Sequence, residues 1–209
     1  MSRWNHCTRV LLCILLLLMV PVLQAAEPAV GAVNDLVTRP EVLRGQFTQE
    51  KQINGFSHPL RSQGHFVVAR QHGVIWTTLK PFPSEVVVTA DRILSRQNDG
   101  STQVVLDARE QPAMGTVNAI MFALMSGDVQ ALSSQFRIQV EREGQHWHLL
   151  LTPKSSMLAK VFKSLVLQGD RYVRHVEIVE ANQDRTSIQF QTLSEAPAVL
   201  DADEVQSFE

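Results

Sequence analysis

From Arg44 onward the chain is written in a period of two. Roughly Arg44–Ile53, Arg61–Ala69, Gly73–Leu79, Ser84–Thr89, Arg92–Arg96 and Thr102–Leu106 alternate apolar and polar residues, which sends successive side chains to opposite faces of a strand. The runs are separated by turn signals: Asn54-Gly55, His72-Gly73, Pro81 with Pro83, and Asn98-Asp99-Gly100. These gaps are too short for crossover helices, so the strands form an antiparallel meander rather than βαβ units. After an interruption the pattern resumes over about Gln135–Arg142, Gln145–Thr152, Val161–Leu167, Arg171–Glu180 and Arg185–Leu193, with Glu143-Gly144, Pro153 to Ser156 and Gly169-Asp170 as turns. About eleven strands result. A flat open sheet of that size is uncommon, so the meander must curl or close. The expected class is mainly β (α+β): a strongly curved antiparallel sheet whose concave side is covered by helices.

The helices come from the interruptions. Pro28 to Thr38 sets Val30, Val33, Leu36 and Val37 at near-helical spacing before Pro40 ends the run. Ala113 to Met125 (AMGTVNAIMFALM) carries no charge, Ser126-Gly127-Asp128 stops it, and Val129 to Leu132 adds a further turn. Such an uncharged helix is either fully buried core or a lid whose Met and Phe side chains face a cavity; pattern alone leaves both open. The acidic stretch 195–209 reads as a flexible tail.

Before all this stands a leader. Met1 to Arg9 is polar with two arginines, Val10 to Val20 (VLLCILLLLMV) is an uncharged apolar run, and Pro21 to Ala26 ends in small residues. That is the layout of a secretory signal, and the run is too short to span a bilayer. The expected division is residues 1–25 as a cleaved signal peptide, with the cut after Ala25 or Ala26, residues 26–194 as one domain, and 195–209 as the tail. Both cysteines, Cys7 and Cys13, leave with the leader. A thiol-free exported chain has no disulfides, thiolate metal sites or cysteine nucleophile. The 19 basic residues face 21 acidic ones for a net charge of −2, which offers no basic face of the kind nucleic acid requires.

Catalytic signatures are missing: no G-x-S-x-G elbow, no Ser-x-x-Lys, no H-E-x-x-H and no phosphate-cradling glycine loop. His146 and His148 share one face of a strand, as two metal ligands would, but Trp147 between them belongs to the apolar face and no third ligand is near; they read as solvent-side histidines. Arg70 is less bland. Counting by two places it on a face with Phe66 and Val68. It either ends that face and snorkels to water, or is a buried cation that needs oxygen partners.

Several segments then resemble the outer-membrane lipoprotein carrier family, the LolA-like proteins. Gly45-Gln46-Phe47-Thr48-Gln49 is similar to that family's first strand. Gly64-His65-Phe66-Val67-Val68-Ala69-Arg70 with Trp76 looks like its G-x-(aromatic)-x-x-x-R…W hairpin, followed by Lys80-Pro81. Phe122 to Leu132 resembles its lid helix, Leu151-Thr152-Pro153-Lys154 a family turn, and Asp184-Arg185-Thr186-Ser187 a late-strand pair. The sequence departs from the family pattern at Gln71, where proline is usual, at Asp91-Arg92 and Ser95-Arg96-Gln97, and in a tail without the Pro-Pro-x-Gly ending, as in a divergent member.

The resemblance implies an incomplete eleven-stranded barrel with a lid of two or three short helices over an apolar cavity. It implies a non-enzymatic, monomeric periplasmic carrier that shields the acyl chains of lipoproteins between an inner-membrane donor complex and an outer-membrane acceptor, with no cofactor. Neighbouring roles are a carrier of another lipid-linked product, such as a polyene or glycolipid, or a lipid-binding periplasmic sensor. Arg70 falls on the family arginine that bonds the lid and gates the cavity. Phe47, Phe66, Val68, Trp76, Met121, Phe122, Leu124 and Met125 are the expected acyl-chain lining.

Overall fold

The computed structural model describes residues 30–97, 101–107 and 115–209; the leader and the Asn98-Asp99-Gly100 turn lie outside them. The first described element is a short helix, α1 (Val30–Asn34). Six strands follow: β1 (Val42–Gln52), β2 (Leu60–Ala69), β3 (Gly73–Lys80), β4 (Ser84–Val88), β5 (Arg92–Gln97) and β6 (Thr102–Asp107). Next come α2 (Gly115–Ser126) and α3 (Val129–Ser133), then β7 (Phe136–Glu143), β8 (His146–Pro153), α4 (Ser156–Ala159), β9 (Phe162–Gly169), β10 (Val173–Glu180), β11 (Arg185–Ser194) and α5 (Ala202–Ser207). All eleven expected strands are present, each within about two residues of its expected ends.

They form one antiparallel sheet in the order β6-β5-β4-β3-β2-β1-β11-β10-β9-β8-β7. The first strand therefore sits in the middle, hydrogen-bonded to β2 on one side and β11 on the other. The two edges, β6 and β7, are consecutive strands that do not pair with each other, so the barrel stays open. The chain crosses between its edges through α2 and α3, which is how the helices come to lie against the sheet.

Alternation decides the faces. On β8, Trp147, Leu149, Leu151 and Pro153 are buried while the residues between them are not. The inward sets of β1, β2, β8 and β9 form one core with Val33 of α1, Ile120, Ala123 and Leu124 of α2, and Val129 and Leu132 of α3. Gly127 ends α2 in a left-handed conformation (φ 70°), the usual glycine stop. The Asp128 carboxylate then caps α3 by accepting from the Ala131 N–H at 3.0 Å.

Two expectations are corrected. The Pro153 to Ser156 turn runs on into α4, because the Ser155 hydroxyl caps a helical turn through the Leu158 N–H. The acidic stretch read as a flexible tail is a strap on the convex face. Its beginning is held by Glu195, which accepts from Arg171 at 2.8 Å and from the Tyr172 hydroxyl. Its end is α5, closed by a capping box between Asp201 and Glu204. Arg44 projects outward from β1 and grips both oxygens of Glu204 at 2.6 Å, plus the carbonyls of Pro197 and Val199. Leu200 and Phe208 cover a small outer cluster of Val42, Val67 and Ile75. The pattern of charges alone could not show this, since the partner of Glu204 lies 160 positions away.

The hydrogen bond from Arg44 holds the Glu204 carboxyl below its ordinary value, against the opposing effect of burial. A depressed folded-state value stabilises the docked strap above the unfolded-state pKa of about 4.3 and loses that contribution as pH falls through the folded value. Hydrogen-exchange protection, corrected for the intrinsic rate, should accordingly fall over 198–208 below about pH 4, and Glu204→Gln should remove that pH step while leaving the sheet amides protected.

Candidate functional site

The interior between the sheet and the helices is aromatic. Phe47 and Trp76 stack with centroids 3.7 Å apart. Phe66 meets Phe190 edge-on at 5.2 Å, and Trp76 meets Phe190 edge-on at 6.2 Å. Two glycines make this possible. Gly45 pairs with Phe66 and Gly64 with Phe47 across the β1–β2 ladder. Each ring lies over the glycine opposite: a Cβ on Gly45 would meet Phe66 at 2.7 Å, and one on Gly64 would meet Phe47 at 3.0 Å.

The expected lining residues converge: Phe47, Phe66 and Trp76 pack on one another, while Val68 and Phe122 also border open space. Phe47, Phe66, Val68 and Leu124 are buried in the core cluster, with Trp76, Phe122 and Met125 half-buried against it. The Met121 side chain lies outside the described ones. The gap that Met125 borders with Phe66 and Phe190 is small, about 10 Å³. Phe190 went unmarked at the sequence level, although it shares a parity with Ile188 on β11 and pairs directly with Phe47.

Open space remains at the end of the sheet where β1 begins. A cleft of about 590 Å³ has an apolar floor of Val37, Leu43, Val68 and Phe122, and a polar rim that includes Asn34, Arg39, Arg70, Ser126 and Asp128. Arg39 Nη1 pairs with Asp128 Oδ1 at 3.3 Å, tying the α1–β1 connection to the cap of α3. Asn34 Oδ1 and Ser126 Oγ are buried there without a hydrogen-bond partner, an unusual state for buried polar atoms.

Arg70 lines this cleft but bonds none of the described side chains of α1 or α2. Its guanidinium lies 3.5 Å from Glu41, and both side chains are about half exposed. The reason is local: Arg70 is the first residue past β2, where its N–H donates to Glu41 O at 3.0 Å as the chain turns back, so its side chain leaves the sheet face for the rim. His146 is exposed and His148 half-exposed, with Nδ1 3.6 Å from Glu141. Among the described residues no three potential ligands gather as a metal site.

Residues 39–204 match the family model described as outer membrane lipoprotein carrier protein LolA. The chain belongs to this family. It is also similar, with 27% identity over 179 residues, to the outer-membrane lipoprotein carrier protein of Dechloromonas aromatica (strain RCB), covering 85% of this chain and 82% of that one. Among solved structures it resembles a LolA superfamily protein from Nitrosomonas europaea, at 7% identity and a TM-score of 0.44 over 80% of this chain and 93% of that one. A DUF1329 family protein from Desulfovibrio piger gives 10% identity and a TM-score of 0.45 over 86% and 99%. The family is one of lipoprotein carriers, and the described site of this chain offers apolar contact surface with a cleft leading to it.

Proposed function

We propose that the protein is exported to the periplasm, loses residues 1–25, and carries the acyl chains of lipoproteins from an inner-membrane donor to an outer-membrane acceptor. The observation that carries this reading is an aromatic interior packed beneath an uncharged helix that joins the two free sheet edges. Each CH₂ left in water costs about 0.8 kcal/mol, so a long acyl chain crosses an aqueous gap only if something shields it. An interior closed by its own flexible and aromatic side chains can take up such a chain as α2 swings from the sheet and can release it by closing again. No nucleotide, metal or covalent step enters.

Arg70 acts at the mouth of the cleft, and Asn34 and Ser126 offer it oxygen partners in a rearranged state. Arg70→Leu should leave the melting temperature within about 2 °C, since the exposed pair with Glu41 contributes little, yet change the rate of cargo release to an acceptor several-fold. Release at the unaltered rate would remove Arg70 from the gating role. The carrier role itself is tested by mass spectrometry of what co-purifies from periplasm: triacylated protein supports it, whereas free polyene or glycolipid, or an empty protein that fails to extract lipoprotein from membranes, overturns it.

A further inference from the structure

The strands of an antiparallel meander bring alternate turns to the same end of the sheet. At the end opposite the Arg70 cleft lie the β1–β2, β3–β4 and β10–β11 connections and the α4 segment. This end carries most of the large apolar side chains left in water: Phe56 (66% exposed), Leu60, Leu79, Phe82 (81%), Met157 (66%) and Val161. The tips are tied into one rim. The Asn54 N–H donates to Asp184 at 2.9 Å and its amide to Asn182 O at 3.3 Å, and the Ala181 N–H donates to Val161 O at 2.9 Å. Lys80 and Pro81 lie across a shallow groove from Gln49 and Arg61.

The same end is basic in a chain whose net charge is −2. Its described carboxylates are already matched: Glu50 with Arg61 at 2.7 Å, Glu180 and Asp184 with Lys51 at 2.7 and 4.0 Å, and Glu85 with Arg96 at 2.8 Å. Lys80, Lys154, Lys160 and Lys163 are exposed and have no carboxylate partner among the described residues.

We propose that this rim is a peripheral docking surface for an anionic phospholipid bilayer, with Phe56, Phe82 and Met157 entering the headgroup region and the four lysines meeting lipid phosphates. Separate apolar points on turn tips suit a soft interface, which admits each one independently. A protein partner would need a pocket for each. Pro81 and Pro83 flank Phe82 and have no N–H to leave unsatisfied at the boundary. Aromatic residues flanked by cations are the composition of membrane-surface anchors, and each lysine near an anionic surface adds attraction that salt screens. The proposal goes beyond cargo carriage. Docking by this end leaves the cleft, at the other end of the strands, facing the solution.

Sedimentation of the processed protein with protein-free vesicles tests it without any cargo. Vesicles with about 30% phosphatidylglycerol in phosphatidylcholine should bind the protein at low salt. Binding should fall at least about tenfold for Phe56→Ser/Phe82→Ser, fall comparably for the four lysines changed to glutamine, and weaken in 0.5 M salt. Unchanged circular dichroism would show that these exposed substitutions leave the fold intact. Absence of binding to anionic vesicles, binding that the phenylalanine variant retains, or binding seen only with membrane proteins present would each overturn the proposal. None of these outcomes bears on lipoprotein extraction, so the carrier reading stands or falls separately.

Discussion

Gly64→Ala should lower the stability of the protein by about 3 kcal/mol, one of the largest losses available from a single added methyl group. Gly64 lies at an irregularity in the β2–β3 ladder, where the register shifts between Gln63 and Gly64. A Cβ there would sit 1.9 Å from the Thr77 carbonyl oxygen and 3.0 Å from the Phe47 ring. The nearer obstacle is backbone, so no side chain can turn aside to relieve it. Either β3 moves off β2, which costs ladder hydrogen bonds, or the ring of Phe47 leaves its stack on Trp76. For a domain of this size the midpoint of thermal unfolding should fall by about 6–12 °C. Gly31→Ala is the control. It lies in α1 with nothing within 4 Å of the added carbon, so replacing a helical glycine there should be neutral or stabilise by about 0.5–1 kcal/mol. Equal effects of the two would mean that the close packing of β1, β2 and β3 is not what holds the interior.

Trp76→Ala should separate stability from cargo binding. The half-buried indole packs against the interior, stacked on Phe47 and edge-on to Phe190. Removing it from the empty protein leaves a hole and should cost about 3 kcal/mol in urea denaturation. An acyl chain entering the wild-type protein must displace that same packing, so the variant has less to displace. A fluorescent fatty acid should bind it about tenfold more tightly, and saturating ligand should restore part of the lost stability, because a ligand that binds only the folded form stabilises it. If affinity falls together with stability, cargo contacts the indole and does not replace it, and the chain lies elsewhere against the sheet.

Much of this was legible in the sequence because alternation is a local signal. A run such as His146–Pro153 shows which residues face inward without reference to any other part of the chain. Turn chemistry at Asn54-Gly55 and Glu143-Gly144 is local too, with Gly55 and Gly144 both at positive φ. What sequence could not show depends on meetings across long separations. Arg44 and Glu204 find each other only after β1 pairs with β11, and that turned an expected loose tail into a docked helix. Phe190 joins the aromatic group for the same reason. Arg70 was expected to continue the inward face of Phe66 and Val68, but it lies one residue past β2, where parity no longer fixes a side chain's direction, and its partner is Glu41. The interior was expected as an opening; Phe47, Phe66 and Trp76 pack against one another there, while Val68 and Phe122 floor the cleft at its end.

The place of β1 in the middle of the sheet has a consequence for how the molecule is made. The two halves, β1–β6 and β7–β11, are meanders of neighbouring strands and can each form from local contacts. They become one sheet only when the first strand pairs with the last, Phe47 against Phe190 and Gln52 against Arg185. Until β11 arrives, the N-terminal half holds an unpaired strand edge beside exposed aromatic rings, which is the kind of surface that invites pairing with another chain. Long-range closure of this sort is slow, so the edge of β1 stays open for as long as β11 is unpaired.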